Sequence, residues 1–452
     1  MQNAVSAGIL TLGCKVNQYE SEAIAERLKA LGVDVVTLGT GADRAVCGGY
    51  IVNTCTVTAE ADRKSRQMIR RLHQQNPAAP IIVTGCTAQT SPDALAAIEG
   101  VAAVLGNAEK LRAADLLASL LSSAPALPAA PLIAVPPLAD AVFEPMCLSS
   151  FPRTRVYIKI EDGCENKCAY CAIPGARGPV RSKAPDDVLR EVAGFCAAGC
   201  PEIVLTGIET ASYGRDFGER SAEALVDLLR RTDEICRGKC RVRLGSIDPS
   251  LFRQPFVDAI APLSSLAPHF HISLQSGCSR TLAAMRRKYS ADGAREAMRR
   301  LRAAIPGICF TTDVIVGFPG ETDADFAETE AFMRDAGFLR AHIFPYSRRR
   351  GTPADRLPDQ VPEEVKHARA AALAAIDRAS RFRILSDTVA DARTLNVLFE
   401  SFDDGWAVGH TPSFLEVRVR SDRSLHGVTA RVIPLATDGE TITAVLTDKE
   451  TK

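Results

Sequence analysis

Three cysteines stand close together in the stretch DGCENKCAYCAIP: Cys164, Cys168 and Cys171, spaced C-x-x-x-C-x-x-C. Clustered thiols in a reducing compartment read as metal ligands before disulfides. A four-iron cluster needs a ligand on each iron, and a structural zinc ion wants four donors. Three thiolates leave one position to be filled from elsewhere, or left open for chemistry. A second set lies upstream. Cys14, Cys55 and Cys86 follow GILTLG, GYIVNT and PIIVTG, each just past the C-terminal end of an expected parallel strand. Ligands of open α/β sheets bind at that edge, so cysteines 41 and 31 residues apart converge there on a shared metal site. One buried cysteine is commonplace; three at the same place in successive units are not. The other eight read as core or incidental residues. Cys196 with Cys200, and Cys236 with Cys240, have i, i+4 spacing but no further ligands nearby in the pattern, and Cys47, Cys147, Cys278 and Cys309 stand apart.

Such residues need a large scaffold, and 452 residues suggest about three domains. Hydrophobic residues make up 46% and charged residues 24%, a globular profile. MQNAVSAGILTLGC lacks the basic start of a secretory signal, and no apolar run is long enough to span a bilayer. The expectation is a cytoplasmic protein with no membrane partner. Lys+Arg and Asp+Glu both number 54, so nothing global draws the chain to nucleic acid and any RNA must be held by local patches.

The pattern implies an α/β multidomain chain. Residues 1–120 alternate short apolar runs with helical periodicity, including helices at about 60–75 and from about Pro92, and form an N-terminal parallel α/β domain. Residues 121–152 carry seven prolines and read as a linker without elements. In 153–380 the runs RVYIKI, EIVLTG, RVRLGS, HFHISL, CFTTDVIVG and RAHIFPY suit a (β/α)6-type barrel. A charged helix is expected over roughly 362–386. Residues 381–452 hold five short strands, a small antiparallel β-barrel.

The middle motif opens the loop after the first barrel strand, at the mouth where barrel enzymes place their chemistry. With Tyr170 before its last cysteine it resembles the signature of the radical S-adenosylmethionine (SAM) enzymes. Its spacing differs from the C-x-x-C-x-x-C run of ferredoxins, against a plain electron carrier; together with the second open site it also argues against a non-catalytic zinc protein. The whole chain, with a three-cysteine N-terminal domain, a radical SAM barrel and a TRAM-like β-barrel, resembles the methylthiotransferase family. LGCKVNQYESEAI, NTCTVTAEADRKSRQ, TGIE, RLGSIDP, HFHISLQSGC, MRRKY, TTDVIVGFPGET and HIFPYSRRRGTP are similar to the branch acting on N6-threonylcarbamoyladenosine (t6A) at position 37 of tRNA. Isopentenyladenosine and a ribosomal-protein aspartate, the targets of the sister branches, are the alternatives; KVNQYES after Cys14 favours t6A. One departure is Thr87, where the family pattern has tyrosine.

The resemblance implies two [4Fe-4S] clusters, one on Cys14, Cys55 and Cys86, the other on Cys164, Cys168 and Cys171, each with an open iron. It implies SAM on the second cluster as radical source, SAM also as methyl donor, and sulfur presented on the first. An external sulfur donor and a flavodoxin- or ferredoxin-type reductant follow. A homolytic reaction needs no general base, so no acid–base pair is assigned. Tyr170, Glu209, Ser273, Gln275, Gly317 and Glu321 are expected to cradle SAM; Gly317 and Gly320 could equally serve only the turn. Arg286, Arg287, Lys288, Arg348, Arg349 and Arg350 are expected to hold tRNA phosphates near the anticodon stem-loop, with RKSRQMIRR (63–71) as a third basic run. Phe402, Trp406 and Phe414 are either base-stacking or core residues. Residues 381–452 are mildly acidic, with nine basic and eleven acidic residues, so RNA binding there follows from the resemblance, not from charge.

Overall fold

The computed structural model describes residues 6–39, 41, 45–122, 128–151, 154–218 and 221–447. The expected boundary at 152–153 and the chain's first five residues lie outside these. The N-terminal part runs β1 (Ser6–Thr11), α1 (Lys15–Ala30), β2 (Asp34–Leu38), β3 (Gly49–Thr54), α2 (Ala59–Gln75), β4 (Ile81–Gly85), α3 (Cys86–Thr90), α4 (Pro92–Ala96), β5 (Val101–Leu105), α5 (Arg112–Ser122) and β6 (Leu132–Ala134). Its six strands form one parallel sheet in the order β2-β1-β3-β4-β5-β6. β3, β4 and β5 are buried throughout, the mark of a parallel sheet covered on both faces. β6 corrects the reading of 121–152 as free of elements: its LIA run pairs with β5 at the edge of the sheet. An edge strand leaves one side of its ladder unused, so nearby prolines cost it no bonds. The helix expected from about Pro92 is only the five-residue α4.

The central part continues with β7 (Arg155–Lys159), β8 (Glu161–Asp162), α6 (Ile173–Arg177), β9 (Arg181–Ser182), α7 (Pro185–Ala197), β10 (Glu202–Thr206), α8 (Ser221–Cys236), β11 (Arg241–Leu244), β12 (Ser246–Ile247) and α9 (Gln254–Ile260). It ends with β13 (His269–Gln275), α10 (Ser279–Ala284), α11 (Ala291–Ala304), β14 (Cys309–Val316), α12 (Asp323–Ala336) and β15 (Arg340–Pro345). Two parallel sheets result, β11-β10-β7 and β12-β13-β14-β15. β11 and β12 are one path interrupted at Gly245, whose Cα lies so near Thr206 that a Cβ would meet its Oγ1 at 2.8 Å. A parallel bridge from Val242 to Leu266 spans the seam. The six strand positions therefore make one curved wall of the (β/α)6 type, and Ile158, Leu205, Leu244, Ile272 and Val314 share one core with Val192, Leu225, Leu301 and Phe332 of the helices that cover it. Tyr19 and Ala23 of α1 belong to the same core, so the first domain packs into the barrel instead of hanging from a linker.

α13 (Glu363–Asp391) outruns the expected 386. Leu373 lies in the barrel core and Leu385 in the next, so one helix serves both. Beyond it, β16 (Leu395–Asp403), β17 (Trp406–His410), β18 (Glu416–Arg420), β19 (Thr429–Thr437) and β20 (Ile442–Leu446) close a barrel in the order β16-β17-β18-β20-β19. Alternate residues such as Val417, Val419 and Ile442 point inward. Four pairings are antiparallel; β18 with β20 is parallel and closes the ring, leaving no open edge.

Candidate active site

β1, β3 and β4 are neighbours in the sheet, so their C-terminal ends bring Cys14, Cys55 and Cys86 to one edge. Cys14 caps α1, and Cys86 begins α3. At Gly13 the backbone passes so close that a Cβ would stand 3.1 Å from Cys55 Sγ. Asn17, from the KVNQYES run, stitches this edge: its Nδ2 donates to Leu12 O (3.0 Å) and Thr54 O (2.9 Å), and its Oδ1 accepts from Cys14 Sγ (3.4 Å). Thr87, the departure from the family pattern, is buried and donates to Cys55 O at 2.8 Å, with Asp62 Oδ1 at 3.0 Å. It holds the Cys55 backbone directly, so the substitution leaves a satisfied contact.

The second set rides the loop between β8 and α6. Gly163 has φ +89°, and a Cβ there would meet Pro179 O at 1.8 Å; only glycine lets the loop double back here. Cys164 N–H donates to Gly178 O (3.0 Å), Ala169 N–H to Met285 O (2.9 Å), and Ala354 N–H to Ala169 O (2.8 Å). Tyr170 packs on an apolar pad of Ala169, Met285, Phe318, Tyr346 and Ala354. A cavity of about 630 Å³ opens over Cys164, Cys168 and Cys171. A neighbouring one of about 620 Å³ shares Asn166 and is lined by Glu209, Asp248 and Lys288.

Among the described residues neither triad draws its sulfurs to within 4.8 Å of one another, as ligands of a single ion would be. Thiolates on separate irons of one cluster stand farther apart, so both triads fit a cluster better than a mononuclear ion. Burial pushes the Cys55 and Cys164 thiols up to about 12 and Cys171 to about 11. Without metal these thiols keep their protons at neutral pH, and loading must displace them.

The expected SAM residues divide. Glu209 is buried; its N–H donates to Glu161 Oε2 (2.8 Å), its Oε2 accepts from Asn166 (3.4 Å), and its Oε1 has no partner among the described residues. Burial, and then the Asp248 charge, raise its carboxyl to about 7 against the pull of Arg287. A buried acceptor without a donor is what a ligand amine or hydroxyl would satisfy. Gln275 ends β13 at φ +67°, a left-handed strain that non-glycine residues keep at functional sites, where the ladder with β14 shifts register. Ser273 offers its carbonyl to Tyr289 OH (2.5 Å). Glu321 instead closes its own turn, accepting from Gly317 N–H (2.6 Å) and Arg369 Nη1 (2.7 Å). Gly317 lies against Lys366, where a Cβ would approach to 2.3 Å, so turn packing accounts for it.

Sequence reasoning missed Arg177, which is wholly buried between the triads. It ends α6, the helix that starts two residues past Cys171. Its Nε donates to Cys86 Sγ at 3.2 Å, Nη1 to Glu20 Oε1 (2.5 Å) and Asp162 (3.2 Å), and Nη2 to Asn17 Oδ1 (2.7 Å). Lys159 Nζ reaches Glu20 (3.0 Å) and Asp162 (3.2 Å), Lys110 also pairs with Glu20, and Arg181 lies 3.4 Å from Asp162. Among the described residues these four buried cations pair with Glu20 and Asp162, with Glu144 near Lys110 and Lys159, and the excess positive charge lies beside Cys86. Uncompensated buried charge is expensive; an anionic centre on the first triad would balance it. The only sequence signal was Glu20 and Asn17 within KVNQYES, and the partners of Glu20 all lie beyond residue 100.

The basic residues expected on tRNA also divide. Arg287 is 5% exposed; it donates to Cys168 Sγ at 3.1 Å and to Asp248 Oδ2 at 2.7 Å, so it faces inward, not toward RNA. Arg349 is 12% exposed and ties Thr56 and Asp62 of the first domain, each at 2.6 Å. Arg286, Lys288, Arg348 and Arg350 are exposed, with Arg348 bonded to Asp355 (3.1 Å). Of RKSRQMIRR, Arg63 pairs with Glu60 while Lys64, Arg70 and Arg71 face solvent. Phe414 is stacked between His269 and His410, with Arg243 over its ring, so it cements the small barrel to the core. Trp406 lies beneath Arg418 and Arg420, and Phe402 is partly exposed.

A model of the radical SAM superfamily matches residues 158–333, and one of an uncharacterized protein family, UPF0004, matches residues 6–106. The chain is 37% identical over 429 residues to a threonylcarbamoyladenosine tRNA methylthiotransferase MtaB of Bacillus subtilis (strain 168), covering 93% of this chain and 92% of that one. It is 41% identical over 362 residues to the protein of that name from Thermotoga maritima, covering 80% and 79%. Among solved structures it is similar to a radical S-adenosylmethionine methyltransferase, TsrM, of Kitasatospora setae, with TM-score 0.55 and 18% identity over 78% of this chain and 77% of that one. That likeness speaks for the fold alone.

Proposed function

Because this chain belongs to the threonylcarbamoyladenosine tRNA methylthiotransferases of the radical SAM superfamily, we propose that it adds a methylthio group to C2 of t6A at position 37 of tRNA. Its radical SAM domain uses SAM and a [4Fe-4S] cluster. We assign that cluster to Cys164, Cys168 and Cys171, and a second, sulfur-presenting [4Fe-4S] cluster to Cys14, Cys55 and Cys86. The observation that carries the two-centre reading is Arg177, which touches Cys86 from the helix that follows Cys171.

Bound at the second triad, SAM supplies the radical that takes hydrogen from the adenine ring and, in a separate use, the methyl group. The protein's own groups have simpler tasks. Arg287 offers a positive charge to the Cys168 thiolate and holds the loop to Asp248. Glu209 presents its free Oε1 as an acceptor for a donor on SAM. The pad around Tyr170 keeps water off the back of the loop. The cations around Glu20 and Asp162 stabilise negative charge on the first triad. Exposed Arg286, Lys288, Arg348 and Arg350, with the basic side of α2 and the β-barrel of 381–452, take the tRNA phosphates. An external sulfur donor and a flavodoxin- or ferredoxin-type reductant complete the cycle, in the cytoplasm. The units are the sheet domain (1–120), the connecting segment (121–152), the radical SAM core (153–380) and the TRAM-like barrel (381–452).

The test is mass spectrometry of tRNA nucleosides from a strain lacking the protein and from its complemented parent. Loss of 2-methylthio-t6A with its return on complementation, the isopentenyl product being unchanged, is the expected result. Persistence of 2-methylthio-t6A together with inactivity of the purified protein on t6A-containing tRNA would overturn the assignment.

A further inference from the structure

The four cysteines read from the sequence as incidental converge in space. Cys196 closes α7 near its end and Cys200 precedes β10; Cys236 is the last residue of α8 and Cys240 precedes β11. Two successive helix-to-strand loops therefore carry the same C-x-x-x-C unit, and because β10 and β11 pair in parallel the units lie side by side. Each loop turns through a glycine in the left-handed region, Gly199 at φ +77° and Gly238 at φ +71°. Cys196 Sγ and Cys236 Sγ are 3.3 Å apart, and the sulfurs of Cys196, Cys236 and Cys240 all lie within 4.8 Å of one another. Among the described residues no other group of three cysteine, histidine or acidic side chains is drawn together in this way. The Cys200 thiol lies in the neighbouring loop, where it donates to Glu202 O at 3.3 Å. Cys200, Cys236 and Cys240 are buried, Cys196 partly so.

We propose that Cys196, Cys200, Cys236 and Cys240 form a four-thiolate site for one zinc ion, distinct from both triads. Tetrahedral Zn–S bonds of about 2.3 Å place the sulfurs about 3.8 Å apart, close to the spacing of Cys196, Cys236 and Cys240, and Cys200, just before β10, supplies the fourth thiolate by turning from Glu202 O. Pairs of ligands with three residues between them, delivered by two tight loops, are the pattern of structural zinc sites. Binding releases the four thiol protons to solvent and leaves a dianionic centre, which Lys239 in the second loop helps to offset. The location fixes the role. The site lies at the strand N-termini, the face of a barrel that serves stability and not chemistry. It clips α7–β10 to α8–β11 next to Glu202, where Arg155 and Arg241 pair and the small barrel docks through Glu400.

The experiment is elemental analysis of the full chain purified without oxygen and without added metal. Zinc also enters vacant cluster sites, so the decisive sample is a variant with Cys14, Cys55, Cys86, Cys164, Cys168 and Cys171 all changed to alanine. About one zinc per chain in that variant, falling at least tenfold when Cys236→Ser and Cys240→Ser are added, is expected. Cys196→Ser, at the partly exposed edge, guards against misfolding: it keeps the circular dichroism of the parent and releases its zinc to a chelating dye at least tenfold faster. Cobalt(II) in place of zinc gives the visible and thiolate charge-transfer bands of a tetrahedral S4 site. Four freely alkylatable thiols without metal, or pairs joined as disulfides in the intact mass, would falsify the proposal. Iron in the same four-sulfur site would overturn the choice of zinc.

Discussion

Cys164, Cys168 and Cys171 come from one short loop, whereas Cys14, Cys55 and Cys86 come from the ends of three strands that only a parallel sheet makes neighbours. Among the described residues the loop triad has one cation bonded to its sulfurs, Arg287 on Cys168, and it opens onto a cavity. The strand triad rests on a buried network of four cations and two carboxylates. A site meant to admit a cofactor needs access and one oriented charge. A site meant to hold a more permanent anionic centre can surround it with fixed counter-charge, provided the carboxylates keep the excess small.

The sharpest way to break the comparison is to remove one sulfur from each triad. Cys168→Ser should abolish both SAM cleavage and product. Cys55→Ser should abolish product, keep reductive SAM cleavage, and leave about half the iron. If Cys55→Ser also stopped SAM cleavage, the division of labour would fail; deoxyadenosine and bound iron are the readouts. Next comes the shared network. Glu20→Gln leaves Arg177, Lys110 and Lys159 undercompensated and should cost about 3–5 kcal/mol in urea unfolding. Arg177→Lys keeps the charge but loses the fork, and should lower product formation about 10–100-fold with SAM cleavage largely retained.

A smaller effect is read in acid. Burial alone would raise the Asp162 carboxyl, but Arg177 and Lys159 outweigh it and hold it at about 2, below its ordinary 3.8. Between those values the unfolded chain binds more protons, so stability rises with pH. The contribution is present above about pH 4, roughly 2 kcal/mol, and is lost as pH falls toward 2. Asp162→Asn should flatten that part of the curve relative to the parent. The smallest effect separates two neighbouring arginines. Arg350→Ala should reduce the salt slope of tRNA binding by about 1. Arg349→Ala should leave that slope unchanged and cost about 1–3 kcal/mol of stability, because its guanidinium is spent on Asp62 and Thr56.

Much of the architecture was legible because it repeats. Apolar runs such as GYIVNT and PIIVTG read as buried parallel strands, and glycine and proline punctuation marked five short strands after 390. The edge strand β6 was not legible, since three residues among prolines carry no periodicity. Basic runs gave composition without direction: Arg286 and Lys288 point outward while Arg287 between them points at Cys168. A left-handed turn at Arg286, φ +59°, sets that direction, and no spacing announces it.

The sequence by itself identified the loop triad, since three thiols within eight residues need only one loop to bring them together. It also determined where the strand triad had to lie, because a parallel sheet puts equivalent strand ends on one edge. Tertiary structure alone decided which charges meet and which thiols gather. Arg177 joins Cys86 across 91 residues, and Cys196 meets Cys236 across 40. Those pairings depend on how α6 packs against α3 and on which strands of the wall are adjacent. Such contacts leave no period or motif in the chain, and only burial reveals that the charges involved must be paired.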